Sequence, residues 1–105
     1  MKFDNEIISK IEKSVRLVAP NAIVILYGSF ARGTNRDDSD IDILILLDKD
    51  RVTRDDEKKV KYPLYGIEFD TGQVISPLVL AKYEWETKHR ITPFFEYIKR
   101  EGILL

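Results

Sequence analysis

Cysteine is absent from this 105-residue sequence, and histidine occurs once, at His89. Without cysteine there is no disulfide framework, no zinc–thiolate site and no thiol chemistry. A single histidine also excludes multi-histidine metal sites and argues against a histidine-centred catalytic triad. Hard-cation chemistry on carboxylate oxygens remains open.

Long hydrophobic runs and an excess of one charge are also missing. The longest apolar runs, Ala22–Tyr27 and Ile43–Leu47, are far shorter than the roughly 20 residues that a membrane span needs. The first twenty residues carry charges in every turn and lack the apolar core of a secretory signal. Seventeen Lys and Arg against 18 Asp and Glu give a net charge of -1, so no overall field attracts nucleic acid. We expect a cytoplasmic protein that binds neither a membrane nor nucleic acid directly.

What the sequence does contain is enough apolar material for one core. Hydrophobic residues make up 44% of the chain, which at this length predicts a single domain over residues 1–105. Periodicity and turn residues predict a series of elements: a helix from Phe3 to Val18, strands at 22–27 and 41–47, a helix from Thr53 to Lys61 ended by Pro63, a hairpin of 65–70 and 73–80 around Thr71-Gly72, a helix from Lys82 to about His89, and a last helix from Thr92-Pro93 with Gly102 as its left-handed C-terminal cap. This order predicts an α/β (α+β) fold, a small mixed sheet covered mainly on one face by helices.

Two aspartates stand at the start of the second predicted strand. Asp40 and Asp42 are two residues apart, so strand alternation places both side chains on one face. Such close carboxylates repel each other unless they are solvated, hydrogen bonded or neutralised, and the usual compensation is a divalent cation bound through oxygen ligands. Mg²⁺ suits the pair because it takes one or two protein carboxylates and completes its shell with water and phosphate oxygens.

The first predicted strand ends in a turn that complements this pair. Gly28 lets the backbone turn sharply after a buried strand, and free N–H groups of a following helical turn can hold phosphate oxygens. Ser29 adds a hydroxyl donor. A carboxylate pair beside an amide-lined turn is typical of a nucleoside triphosphate site, in which attack on the α-phosphorus is the natural reaction.

The motif Gly28-Ser29, ten residues, then Asp40-Ile41-Asp42 resembles the signature of the DNA polymerase β nucleotidyltransferase superfamily. The chain is most similar to its minimal nucleotidyltransferases, the MNT domains, because Ala31-Arg32-Gly33 and Ser39 also match. The resemblance implies a polymerase β palm-like fold, Mg²⁺ or Mn²⁺ on the two aspartates, and ATP or another NTP held by the Gly-Ser turn.

A third carboxylate on a later strand completes the site in many members of this family, and here the sequence departs from the pattern. The corresponding segment reads Ile75-Ser76-Pro77. Glu68 and Asp70 lie on the preceding predicted hairpin strand and share a face by alternation. We therefore expect Asp70, with Glu68 as substitute, to serve as the third catalytic carboxylate.

The resemblance also implies a partner. Stand-alone MNT proteins resemble the antitoxins of MNT/HEPN toxin–antitoxin pairs, so the expected acceptor is a tyrosine hydroxyl of a helical HEPN toxin that receives AMP from ATP. Two alternatives stay open: a non-catalytic binding module that keeps the fold, and transfer to a small molecule such as an aminoglycoside. Nucleotide preference and oligomeric state are open as well.

One other motif is attributed to local structure. Asp70-Thr71-Gly72 spells the aspartic-protease triplet, but it occurs once, whereas a protease dyad needs two carboxylates from two copies. A turn explains it better.

Overall fold

The computed structural model describes residues 5–105, so Phe3 of the predicted first helix lies outside the described residues. Within this range no helix is both long and apolar enough to cross a membrane. The elements, in chain order, are α1 (Glu6–Val18), β1 (Ile23–Tyr27), α2 (Ser29–Arg32), β2 (Ile41–Leu47), α3 (Arg54–Thr71), β3 (Ile75–Ala81), α4 (Lys82–Thr87), a 3₁₀ turn (His89–Ile91), α5 (Pro93–Glu101) and β4 (Ile103–Leu104).

The strands form one mixed sheet in the order β3-β2-β1-β4. β1 pairs antiparallel with β2 and with β4, whereas β2 and β3 run parallel. The two long apolar runs of the sequence are thus the two central strands, as expected for segments buried on both faces. The predicted fold class, a small mixed sheet with helices, is confirmed.

Helices pack on both faces of this sheet, so the predicted cover mainly on one face is wrong. Alternate residues of β2 enter two separate apolar clusters. The larger cluster joins α1 and α3 to one face, through Ile8, Ile11, Val15, Val60 and Leu64. The smaller one joins α4 and α5 to the other face, through Leu44, Leu46, Trp85 and Ile98. Asp40 and Asp42 belong by alternation to the second face, beyond the end of its apolar cluster.

The hairpin predicted around Thr71-Gly72 is wrong. The segment is the second half of α3, which continues through Pro63 to Thr71. Val60 and Leu64 are buried one helical turn apart against the sheet, and their burial outweighs the roughly 3 kcal/mol that proline costs inside a helix. Gly72 then ends α3 in the left-handed region, at φ 74°.

The left-handed cap predicted at Gly102 is also wrong, because its φ is -69°. Glycine is needed there for a different reason. A Cβ at this position would stand 2.6 Å from the carbonyl oxygen of Ile98 and 2.7 Å from Cγ2 of Ile25. Gly102 therefore lets the end of α5 approach β1 closely enough for β4 to pair with it.

The start of α3 yields a prediction on stability. Asp56 accepts a hydrogen bond from the Thr53 amide and contacts Lys49 Nζ at 2.7 Å, while the Thr53 hydroxyl accepts from the Asp56 amide. The Lys49 contact, followed by the Thr53 amide, lowers the pKa of Asp56 from 3.8 to about 2. A depressed native pKa stabilises the fold above the unfolded value, and this contribution is lost as the pH falls through about 2. We expect Asp56→Ala to lower the urea midpoint at neutral pH and to flatten its dependence on pH in this acid range.

The exposed Asp55 is a matched control, since it lies in the same turn. Asp55→Ala should leave the urea midpoint at neutral pH near that of the wild type. Equal losses in the two variants would mean that the capping contacts of Asp56 do not stabilise α3.

Candidate functional site

The turn after β1 and the entrance of β2 meet at one place. Tyr27, the last residue of β1, pairs with Asp42 across the antiparallel ladder, so Gly28 lies beside the aspartate. A Cβ built on Gly28 would stand only 2.3 Å from the Asp42 carboxylate oxygen Oδ2. Residues 28 and 42, which are remote in sequence, are therefore in direct contact.

Gly28 also needs its unusual backbone conformation. It has φ 77° and ψ -156°, a region open almost only to glycine. This conformation turns the chain from β1 directly into α2, which begins at Ser29. The first amides of a helix have no carbonyl partner within it, so the N–H groups of this turn can hold an anion beside the Asp42 carboxylate.

The two aspartates stand in different surroundings. Asp40, just before β2, is exposed, whereas Asp42 is half-buried. Burial raises the pKa of the Asp42 carboxyl above its usual value, the negative charge of Asp40 raises it further, and Arg32 partly offsets both. The acidic pair thus carries more negative charge than its surroundings compensate. That imbalance, together with a donor set of carboxylate oxygens, fits a divalent hard cation such as Mg²⁺ or Mn²⁺.

The third carboxylate expected at Asp70, or at Glu68, does not join this pair. Both residues lie on the last turns of α3, which packs on the opposite face of the sheet, and the strand that was to carry them does not exist. Among residues 5–105, no group of three or more His, Cys, Asp or Glu side chains is arranged to hold a metal ion. The structural premise for a catalytic role of Asp70 and Glu68, a shared hairpin strand, is therefore wrong.

Ser76 occupies the place where a third carboxylate would be expected. It pairs with Asp42 across the parallel β2 and β3 strands, and its hydroxyl donates to Asp40 Oδ2 at 3.2 Å. The sequence had pointed to Ser76 only as a departure from the family pattern. Its contact with the acidic pair depends on the register of β3, which the predicted hairpin left unspecified.

Ser76 supports a second prediction. We expect Ser76→Asp to tighten the binding of Mn²⁺ or Mg²⁺ by roughly tenfold, since a third carboxylate adds charge and a ligand to the site. Without metal the same change should lower the melting temperature, because three close carboxylates repel. Thermal melts across a metal titration measure both effects.

Ser76→Asn is the matched control, because it adds similar bulk without charge. It should leave the metal affinity near that of the wild type. A Ser76→Asp protein that gained no affinity would show that position 76 does not face the metal site.

Aromatic and basic side chains border the acidic pair on the side of α5. Tyr27 packs edge-on against Phe94 and Tyr97, with ring centroids 5.5 and 6.2 Å away. Burial raises the pKa of the Tyr27 phenol, and the neighbouring Asp42 carboxylate and Tyr97 raise it further. Arg32, the last residue of α2, donates to the Tyr97 hydroxyl. The sequence places Arg32 in the motif, but no pattern in the sequence predicts its contact with α5.

Comparison with known proteins finds a family, a curated relative and a solved structure. The family model described as "Nucleotidyltransferase domain" matches residues 8–100. The chain is 32% identical over 80 residues to the "Putative protein adenylyltransferase MJ0141" of Methanocaldococcus jannaschii, covering 73% of this chain and 79% of that protein. A structure described as "Crystal structure of the toxin-antitoxin with AMP-PNP" superposes with a TM-score of 0.62 at 19% identity, over 91% of this chain and 69% of that one. At that identity the superposition supports the fold alone.

Proposed function

This chain belongs to the nucleotidyltransferase domain family, and from that premise we propose that it transfers AMP from ATP to an acceptor hydroxyl and releases pyrophosphate. The observation that carries the proposal is the contact between Gly28 and Asp42. This contact places a turn whose free N–H groups can bind phosphate oxygens beside a pair of carboxylates whose charge a cation can neutralise. A metal–triphosphate complex satisfies both halves of the site at once.

In this proposal each residue of the motif has a distinct role. Asp40 and Asp42 hold Mg²⁺, or Mn²⁺ in its place, while the Gly28–Ser29 turn and the Ser29 hydroxyl hold the triphosphate. The bound metal ion supplies electrostatic stabilisation of the charge that develops on the phosphate oxygens. The protein contributes chiefly position and charge, which is what phosphoryl chemistry requires most.

The acceptor we propose is a tyrosine hydroxyl. With serine at position 76, the described residues bring no third carboxylate to the pair that could take the proton of an alcohol. A phenol, with a pKa of about 10, gives up its proton more readily than an alcohol, so it depends less on such a base. A phenolic acceptor therefore suits a site of two carboxylates.

The partner we propose is a helical toxin of the HEPN type, which this chain neutralises as an antitoxin by modifying a tyrosine. The curated relative carries the name "Putative protein adenylyltransferase", and the similar structure is described as a toxin–antitoxin with AMP-PNP, an ATP analogue. The described chain is also largely taken up by the sheet and its helical layers. Recognition of the acceptor therefore falls largely to the partner.

The experiment is transfer of labelled AMP from ATP to a co-expressed HEPN partner in the presence of Mg²⁺. We expect the label on the wild-type partner and none on a partner whose exposed tyrosines are changed to phenylalanine. Chelation of the metal should abolish labelling. Nucleotide that binds this chain but never transfers to the partner would contradict the proposed reaction.

A second candidate function is a non-catalytic binding module that neutralises its partner by occlusion. Ser76 in the place of a carboxylate favours it. In that case a stable complex with the partner should inhibit the toxin without any label, and the inhibition should survive Asp42→Asn. The transfer assay and a toxin inhibition assay, run on the same preparation, separate the two candidates.

A further inference from the structure

Two side chains of α5 hold the guanidinium of Arg32. Arg32 Nη1 donates to the hydroxyl of Tyr97 at 3.0 Å and lies 3.6 Å from Glu101 Oε1. Tyr97 and Glu101 are four residues apart on α5, so they project from the same face of the helix. The end of the phosphate-binding turn is therefore attached to the C-terminal helix by one arginine.

The backbone of Arg32 also lies close to the acidic pair, through Gly28. Its backbone amide donates to the carbonyl of Gly28 at 3.1 Å, and Gly28 is the residue that contacts Asp42. Tyr97, which accepts a hydrogen bond from the guanidinium, packs edge-on against Tyr27 with ring centroids 6.2 Å apart, and Tyr27 pairs with Asp42 across the β1–β2 ladder. The guanidinium is therefore held on the side of α5 that borders the acidic pair.

The surroundings of Glu101 indicate that the attraction between opposite charges helps to hold Arg32 against α5. Its Oε1 atom is buried, and within residues 5–105 it has no hydrogen-bond partner. A buried carboxylate oxygen without a partner is destabilising unless a cation stands close. The Arg32 guanidinium is such a cation, and the negative charge of Glu101 draws it towards α5.

We propose that Tyr97 and Glu101 are positioning residues, which hold the Arg32 guanidinium where it meets the phosphates of a nucleotide bound at Asp40, Asp42 and the Gly28–Ser29 turn. This inference rests on the proposed function. A triphosphate carries more negative charge than one divalent cation neutralises, so a fixed positive charge strengthens its binding. Arginine has five N–H donors and Tyr97 accepts one of them, which leaves much of the planar fork for phosphate oxygens.

The test is binding of AMP-PNP with Mg²⁺ to the full chain, measured by titration. We expect Arg32→Ala to weaken binding by roughly 10- to 100-fold, since a charged contact with phosphate is lost. Tyr97→Phe should weaken it by roughly 3- to 10-fold, the usual effect of one hydrogen bond. Glu101→Gln should act in the same direction, and Arg32→Lys should restore part of the affinity because it keeps the charge but not the fork.

A double-mutant cycle separates positioning from simple structural support. Once Arg32 is alanine, Tyr97→Phe and Glu101→Gln should cause no further loss of nucleotide affinity. The exposed Tyr83 and Glu96, on α4 and α5, provide matched control changes, Tyr83→Phe and Glu96→Gln, that should leave binding unchanged. Thermal melts of every variant confirm that the fold is intact.

Three outcomes overturn the inference, and they differ in what else they affect. If Tyr97→Phe weakens binding equally with and without Arg32, the tyrosine supports α5 and does not act through the arginine. If Arg32→Ala binds AMP-PNP as the wild type does while Asp42→Asn does not, the inference falls and the proposed function stands. If the wild-type chain binds no nucleotide in the presence of Mg²⁺, both fall.

Discussion

Replacing Asp42 with asparagine is expected to abolish nucleotidyl transfer and, in the absence of metal and at neutral pH, to make the protein more stable. These opposite effects have one cause. Asp42 is half-buried beside Asp40, and its ionised form is unfavourable in the folded protein until a cation arrives. Asparagine keeps the shape of the side chain and removes the charge, so it relieves the repulsion and also removes a carboxylate that the proposed metal site needs.

The size of each effect follows from the position of Asp42. Loss of a residue that only orients a metal ligand typically lowers activity by roughly 10- to 100-fold, and loss of a direct ligand should exceed this. The gain in the free energy of unfolding is smaller, on the order of 0.5 kcal/mol, because solvent partly screens the acidic pair. Activity and stability therefore move in opposite directions by very different amounts.

The dependence on pH has a definite sign. Burial and Asp40 raise the pKa of Asp42 in the folded protein above its ordinary value of 3.8. A raised native pKa stabilises the fold below the unfolded pKa, and this stabilisation is lost as the pH rises through the native value. The Asp42→Asn variant should thus match the wild type in acid and exceed it at neutral pH. Urea midpoints measured across this range, with metal chelated, check the expectation.

Asp48→Asn is the matched control, because Asp48 is exposed and directly follows the far end of β2. It should change neither transfer activity nor the urea midpoint at neutral pH. An Asp42→Asn protein that still transferred AMP would refute the proposed metal-binding role of Asp42. A variant less stable than the wild type at neutral pH would show that Asp42 is favourably paired in the metal-free protein.

The parts of the fold that the sequence predicts correctly are those determined by interactions between residues close together in the chain. The two central strands, the Thr92-Pro93 helix start and the place of Gly28 could be predicted, because continuous apolar runs, caps and turns are encoded within a few residues. The proximity of Gly28 to Asp42 was expected from the spacing of a motif. In these parts local propensity and the final fold agree.

The rest of the site depends on contacts that are remote in sequence. In the sequence, Pro63 looks like a helix breaker and Thr71-Gly72 looks like a hairpin turn. In the structure, α3 continues through Pro63 and ends at Thr71, because Val60 and Leu64 are buried against the sheet. That error misplaced Asp70 and Glu68 and hid the register that sets Ser76 beside the acidic pair. Tertiary burial outweighed the local signals here, and a single sequence does not reveal it.

Replacing Gly28 with alanine is expected to be the most disruptive single-methyl change in the site. A non-glycine residue at φ 77° and ψ -156° is strained by roughly 1–3 kcal/mol. The new Cβ would also stand 2.3 Å from Asp42 Oδ2, so the carboxylate must move. We expect a loss of about 3 kcal/mol in the free energy of unfolding, together with loss of nucleotide binding, measured by urea unfolding and by AMP-PNP titration.

Alanine substitutions at two other glycines separate the cost of backbone strain from the cost of a steric clash with Asp42. Gly33 has φ 74°, and a methyl group added there would meet no atom within 4 Å, so Gly33→Ala should show the backbone strain alone, roughly 1–2 kcal/mol. Gly66 lies inside α3 with open space around it, and Gly66→Ala should stabilise the helix by roughly 0.5–1 kcal/mol. If Gly28→Ala resembles Gly33→Ala in stability and keeps its nucleotide affinity, the turn is not in tight contact with Asp42. Since the proposed metal–triphosphate site depends on that contact, such a result would remove its geometric basis.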